Sequence, residues 1–273
     1  MGGRAISREV LGEAVSALLF DLDGTLYTEA GVIPGAVEAI ADLRRRGVPL
    51  RFVTNTTRKP RRHLVERLRG YGYEVEDHEV FGAVLATAAH LEQQGIRSVA
   101  PFVSKPALED LAGFELGGGL ADTQPARTPD AVLVGDLGDE WTPALLNEAF
   151  RYVMDGARLI ALQKGRYWLA AGGIELDAGP WVAALEYATD SEAVVCGKPN
   201  AAFFHGVLSS LEDADSSAPS VMVGDDLWND VEGAQRAGLA GWLVRTGKFR
   251  EEALESSGIK PDRVIGSVAE LCG

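Results

Sequence analysis

Cysteine and histidine are both scarce in this chain of 273 residues. Two cysteines, Cys196 and Cys272, without any Cys-x-x-Cys spacing, exclude a disulfide framework and a zinc ribbon. Four histidines, His63, His78, His90 and His205, are scattered with none of the spacings of a metal site and read as surface or helix positions. Long apolar runs are missing: no stretch approaches the ~20 residues that a bilayer requires. Met1 to Val10 carries charges and no apolar block of signal-peptide length, so a cytoplasmic protein without membrane contact is expected. On that expectation the sequon Asn55-Thr56-Thr57 is a chance match. Positive charge is also short, with 26 Lys+Arg against 40 Asp+Glu and a net charge of −14. Such a surface repels phosphate backbones and excludes general nucleic-acid binding. It leaves open a small anionic substrate, because a bound cation or a focused basic pocket inverts the local field. The one basic cluster, Arg58-Lys59-Pro60-Arg61-Arg62, reads as the solvated first turn of a helix. There is no G-x-x-x-x-G-K-[ST], no G-x-S-x-G and no H-E-x-x-H, and Gly117-Gly118-Gly119 lacks dinucleotide-binding spacing and reads as a flexible loop.

What the sequence does contain is an alternation. Short apolar runs at Ala17–Phe20, Leu50–Val53, Val194–Cys196, Val221–Val223 and Gly241–Val244 have the character of parallel strands buried on both faces. Amphipathic segments separate them. Pro34 to Arg46 puts Val37, Ile40 and Leu43 on one face and stops at Gly47; Leu64 and Leu68 follow Pro60, and Phe203, Val207 and Leu211 follow Pro199. The middle third repeats the alternation, with helices over Val84–Leu91 and Pro143–Val153, strands over Val99–Val103, Pro129–Gly135 and Arg158–Leu162, and a loop from Gln163 to Gly173. The expected fold is α/β: a Rossmann-like, mostly parallel core sheet built from residues 1–81 and 191–273, carrying an inserted α/β cap domain over residues 82–190.

Polar residues fit for phosphate chemistry stand at the strand ends, where open α/β sheets gather ligands. Asp21 and Asp23 follow the first run, Thr54 and Asn55 the second, Lys198 a later one, and Asp225, Asp226 and Asp230 the next. Carboxylates crowded together raise one another's pKa unless a cation intervenes. Magnesium, a hard oxygen-seeking ion, is the natural neutraliser, with Asp21, Asp23 and Asp225 as candidate ligands. Asp21 is then placed to attack phosphorus and form an aspartyl-phosphate, and Asp23 to act as general acid and base. Thr54 and Lys198 would hold the phosphoryl oxygens and balance their charge.

Asp21-Leu22-Asp23-Gly24-Thr25-Leu26-Tyr27 resembles the first motif of the haloacid dehalogenase superfamily in its two-aspartate phosphatase form. Val53-Thr54-Asn55 resembles the second motif, Gly197-Lys198-Pro199 the third, and Gly224-Asp225-Asp226-Leu227-Trp228-Asn229-Asp230 the fourth. Their order, and the long gap between second and third, is similar to the class with a large α/β cap inserted there (subfamily IIA). Lys164–Tyr167, Leu176–Pro180, Ala184–Ala188, Gly233–Arg236 and Arg245–Phe249 look most like the subgroup of phospholysine phosphohistidine inorganic pyrophosphate phosphatases. The resemblance implies a Rossmann-like core, magnesium dependence and hydrolysis of a small phosphorylated substrate. It also leaves room for a homodimer paired through the cap.

Plainer readings stand beside these. Asp226 and Asp230 are either ligands or residues that cap a helix and hold a ligand in place. Asn55 either steers substrate or closes the turn after its strand, and Arg166 and Tyr167 either touch the leaving group or shape a loop. Trp228 is expected to pack against its helix, and Cys196 to fill the core. A signalling receiver also combines acids, a Thr and a Lys, but as one small domain without the second acid of Asp-x-Asp. A catalytically silent phosphate-binding protein is the remaining alternative.

Overall fold

The computed structural model describes residues 9–170, 172–211 and 218–272, with side chains left out at 169 and 170; the charged stretch Met1–Arg8 lies outside them. Within the described chain two compact units form. The first comprises the described residues of 9–54, 65–81 and 198–272, the second those of 55–64 and 82–197.

The first unit is built on a six-stranded sheet in the order Arg263–Ile265, Ala240–Val244, Ser220–Gly224, Ala17–Asp21, Leu50–Thr54 and Val80–Gly82. The first five strands run parallel to one another. Leu18, Leu19, Phe20, Phe52, Val221, Met222 and Trp242 are buried, as expected of strands covered on both faces. The helix Ala36–Arg45 buries Ala36, Ala39, Ile40 and Leu43. It ends where Gly47, at φ +71°, turns the chain so that its N–H reaches the Arg44 carbonyl and that of Val48 the Leu43 carbonyl. Glycine supplies that left-handed turn without steric cost. Parallel pairing has a direct consequence for function: the carboxyl ends of neighbouring strands come out on one edge. Asp21 is level with Val53, and Phe20 with Val223, so Asp21, Thr54 and Asp225 emerge side by side.

The second unit has its own five-stranded sheet, ordered Val194–Val195, Arg158–Ala161, Ala131–Val134, Ser98–Phe102 and Glu115–Leu116, all parallel. Alternate residues feed two cores. Val99, Ala131, Leu133 and Ile160 pack with Val84 and Leu91 of the helix Ala83–Gln93. Ala100, Phe102, Val132, Val134 and Leu159 pack with Ala149 of the helix Pro143–Met154 and with Val182 and Leu185 of Ala178–Thr189.

Three elements differ from the reading of the sequence. Val194–Val195, grouped above with the strands of the first unit, pairs with Ile160 and Ala161 in the second sheet; a two-residue apolar run carries no information about its distant partner. Within the expected loop Gln163–Gly173 begins an antiparallel hairpin, Tyr167–Ala170 with Gly173–Leu176, leaving Tyr167, Ile174 and Leu176 exposed. Arg58 is not in the first turn of a helix, which begins at Arg61. Its guanidinium binds Asp136 through two N–H groups, at 2.7 and 3.1 Å, and lies 5.0 Å over the ring of Trp168.

Candidate active site

Three carboxylates of the first unit, those of Asp21, Asp225 and Asp230, lie buried with oxygens all within 4.8 Å of one another. Each arrives by a different local device. Asp21 is the last residue of its strand. Asp225 follows the Ser220–Gly224 strand directly. Asp230 is brought back towards that strand end by a wide, π-type helical turn over Leu227–Glu232, a distortion often found at functional sites. Asp226 caps this turn, its Oδ1 accepting the N–H groups of Trp228 at 3.1 Å and Asn229 at 3.0 Å. Its own N–H donates to Asp230 Oδ2 at 3.0 Å. Trp228, expected to pack against the helix, is instead 43% exposed.

Lys198 stands just ahead of the helix Ala201–Leu208. Its buried ammonium donates to Asp21 Oδ1 at 2.5 Å and to Asp230 Oδ1 at 2.7 Å. Burial alone would push this lysine down, but the two carboxylates outweigh it and hold the amine charged. Three acids against one ammonium leave two negative charges in a buried space. Burial, with the charges of Asp21 and Asp230, pushes Asp225 well above the ordinary carboxylate range. Burial likewise raises Asp21 and, despite Lys198, takes Asp230 to about 7. A divalent cation would cancel this surplus, and an all-oxygen donor set is what magnesium prefers. Asp226 behaves oppositely: its burial is outweighed by Lys248 and Asn229, which keep its carboxyl below the usual range.

The site residues named from sequence fall into distinct places. Asp21, Lys198 and Asp225 meet in the cluster, and Thr54 is buried at the end of the adjoining strand. The Asp23 carboxylate is not in the group of three, so the expected ligand set Asp21, Asp23 and Asp225 shares two members, Asp21 and Asp225, with the buried group Asp21, Asp225 and Asp230. Asp23 is exposed beside a tight turn in which the Gly24 N–H binds the Tyr27 carbonyl at 2.7 Å. Asn55 and Arg166 belong to the second unit. The Asn55 side chain lies against Gly197, where any Cβ would come within 2.7 Å of its Oδ1. Arg166 is exposed, its carbonyl accepting the Asp177 N–H at 3.3 Å.

Sequence reasoning gave no role to Lys248. Its backbone N–H donates to Asp225 Oδ2 at 2.6 Å and its ammonium to Asp226 Oδ2 at 3.2 Å. The available signal was the pair of glycines that frame Asp225: a Cβ on Gly24 or on Gly247 would collide with its Oδ2.

A parallel sheet whose strand ends deliver an aspartate nucleophile candidate, a lysine and further acids defines a class of phosphoryl-handling α/β hydrolases, and the comparisons place the chain within it. Residues 18–116 match the model of the haloacid dehalogenase-like hydrolases, and residues 195–271 match a second HAD-hydrolase-like model. This chain belongs to the haloacid dehalogenase-like hydrolase family and is a phosphatase of that family. It is 43% identical to haloacid dehalogenase-like hydrolase domain-containing protein 2 of Rattus norvegicus over 237 residues, 86% of each chain. It is 35% identical to phospholysine phosphohistidine inorganic pyrophosphate phosphatase of Homo sapiens over 262 residues, 94% of this chain and 92% of that one. Among solved structures, p-nitrophenyl phosphatase from Archaeoglobus fulgidus superposes with a TM-score of 0.85 at 29% identity, covering 94% of this chain and 98% of the other. Glycerol phosphate phosphatase from Mycobacterium tuberculosis, in complex with magnesium, superposes with a TM-score of 0.81 at 26% identity, covering 94% and 77%.

Proposed function

We propose that this phosphatase is magnesium-dependent and removes phosphate from a small phosphorylated metabolite through an aspartyl-phosphate on Asp21. The observation that carries the reading is the buried convergence of Asp21, Asp225 and Asp230 with Lys198 bonded to two of them. Asp21, Asp225 and Asp230 would hold the ion, which supplies positive charge to the phosphoryl oxygens and lowers the repulsion met by an anionic nucleophile. A carboxylate oxygen of Asp21 attacks phosphorus while the bond to the leaving oxygen breaks. Asp23, exposed and two residues on, gives its proton to that oxygen. The resulting Asp23 carboxylate then takes a proton from water, whose oxygen displaces Asp21 from phosphorus and restores both acids. Lys198 stabilises the negative charge on Asp21 and on the transferring group, and Thr54 offers a hydroxyl to a phosphoryl oxygen.

The second unit, residues 82–190 in its main part, is read as the cap that selects the leaving group. Pyrophosphate, nitrogen-linked phosphates and glycerol phosphate, the compounds in the names of the relatives, are the first substrates to try. Among the described residues no helix is long and apolar enough to cross a membrane, and both cysteines are free thiols, which supports a reducing cytoplasm. Phosphatases similar along nearly the whole chain leave the receiver reading without support.

Phosphate release from a panel of phosphorylated metabolites, with magnesium and with a chelator, tests the proposal. Asp21→Asn should lower turnover at least about a thousandfold while retaining magnesium binding. Hydrolysis at the wild-type rate in this variant would reject the covalent step. Asp23→Asn should slow alcohol leaving groups far more than activated phenols, and equal loss on both would remove Asp23 from the acid role.

A further inference from the structure

We propose that the loop Thr246-Gly247-Lys248 is a positioning device for the metal ligand Asp225, setting how well the site distinguishes magnesium from larger cations; this rests on the magnesium reading above. Three contacts converge on one short stretch. The Lys248 N–H donates to Asp225 Oδ2 at 2.6 Å. The Thr246 hydroxyl donates to the Gly24 carbonyl at 2.5 Å, tying the loop that follows Asp21 and Asp23 to the loop that follows the strand Ala240–Val244, on the far side of the Asp225 strand. Gly24, at φ +89°, and Gly247, at φ +58°, then close on Asp225 Oδ2 from two sides so tightly that a Cβ on either would overlap it.

The effect is to hold one oxygen of Asp225 by a backbone amide between two bare backbones. A carboxylate on a single bond from Cβ otherwise swings freely, and an ion that it binds must first restrict that motion. Here Oδ2 is restrained in advance by the amide and the two glycines, with Oδ1 left as the oxygen that the amide does not hold. Magnesium demands near-ideal octahedral geometry at short distances, whereas calcium tolerates irregular and longer ones. A rigid Asp225 therefore favours the smaller ion, and a loosened one costs magnesium more than calcium. Residues that orient ligands in this way typically change metal affinity by about 10- to 100-fold when removed. Thr246, Gly247 and Lys248 are thus positioning residues acting through Asp225, without contact to the substrate in this scheme.

Calorimetric titration of the full chain with magnesium and, separately, with calcium tests the device without reference to turnover. Thr246→Val, which keeps shape and removes the bond to Gly24, should weaken magnesium binding about tenfold and calcium binding several-fold less, and Thr246→Ser should restore both. Gly247→Ala should have the larger effect in the same direction; if it does not fold, Thr246→Val and Thr246→Ser carry the test. Equal losses for both ions, or magnesium binding unchanged in Thr246→Val, would overturn the positioning role. Wild-type protein that takes up no magnesium, or Asp225→Asn that binds it undiminished, would overturn the metal reading and the device with it. A wild type that binds and variants that do not differ would overturn the device alone.

Discussion

Both units are parallel α/β sheets with strands buried on two faces, yet they treat the acids at their strand ends in opposite ways. In the second unit, Asp136 follows the Ala131–Val134 strand and is fully partnered. Arg58 binds both its oxygens, its N–H meets the Thr57 hydroxyl at 2.9 Å, and its Oδ1 accepts the Gly138 N–H at 2.8 Å. One acid meets one guanidinium, and the charges cancel on the spot. In the first unit three acids share one ammonium, and burial raises all three. The same architecture therefore makes a strut where charge closes and a reaction centre where it does not. An uncancelled buried charge is expensive, and its retention points to a partner that arrives from solution.

Lys198→Met should break this contrast most severely. It deprives Asp21 and Asp230 of their shared donor, and kcat should fall by about a hundredfold or more, the size seen when one preorganised charge-stabilising group is lost. Retention of kcat within a factor of a few would remove Lys198 from the chemistry.

A pH series sharpens the contrast next. Asp225 and Asp230 bind protons more tightly folded than unfolded, so their contribution to stability is full below about pH 4 and is lost as pH rises through about 7, the value for Asp230. Chelated protein should accordingly lose melting temperature between pH 5 and 8 on this account, and magnesium should restore most of the loss at the upper end. A melting temperature equally sensitive to pH with and without magnesium would show that the cluster is not where the ion acts. Glu79 acts in the opposite sense. Burial pushes against it, but Arg44 holds it below the usual range, so its stabilisation is present above about pH 4.5 and disappears in acid.

The smallest effect is expected from Asp136→Asn in the second unit. Arg58 is more than a third exposed, so the pair is screened, and about 1 kcal/mol, or a few degrees of melting temperature, should be lost. That loss should be the same with and without magnesium, which scanning calorimetry of both forms would check.

Much of this arrangement was legible in the residues themselves. Asp21, Lys198 and Asp225 announce themselves because each is a charged side chain set directly against an apolar run or glycine, a placement with little use in packing. The repeated alternation likewise gave two sheets. Asp230 was ambiguous because its membership depends on a π-type widening of the turn, and no residue pattern separates that from an ordinary first helical turn. Lys248 was missed because its closest contact is made by a backbone amide, which every residue but proline possesses. The strand Val194–Val195 was assigned to the wrong sheet because pairing is decided by partners more than thirty residues away. The hairpin 167–176 escaped notice because its exposed apolar residues give neither clean alternation nor a two-residue turn signal.

Thr54 closes one stretch of the first unit and Lys198 opens another, so that Asn55 and Gly197, their immediate neighbours, already belong to the second. Two groups that the proposed chemistry uses thus stand at the seams of the polypeptide. The bonds among Asp21, Lys198, Asp225, Asp226, Asp230 and Lys248 all lie outside residues 82–197, so a graft that exchanges that segment for a foreign insert removes none of their partners, although its downstream splice falls directly against Lys198. Residues 55–64 would lose partners in the exchange, among them Asp136 for Arg58 and Asp110 for the Arg61 N–H, so a replacement interior has to supply acids for them.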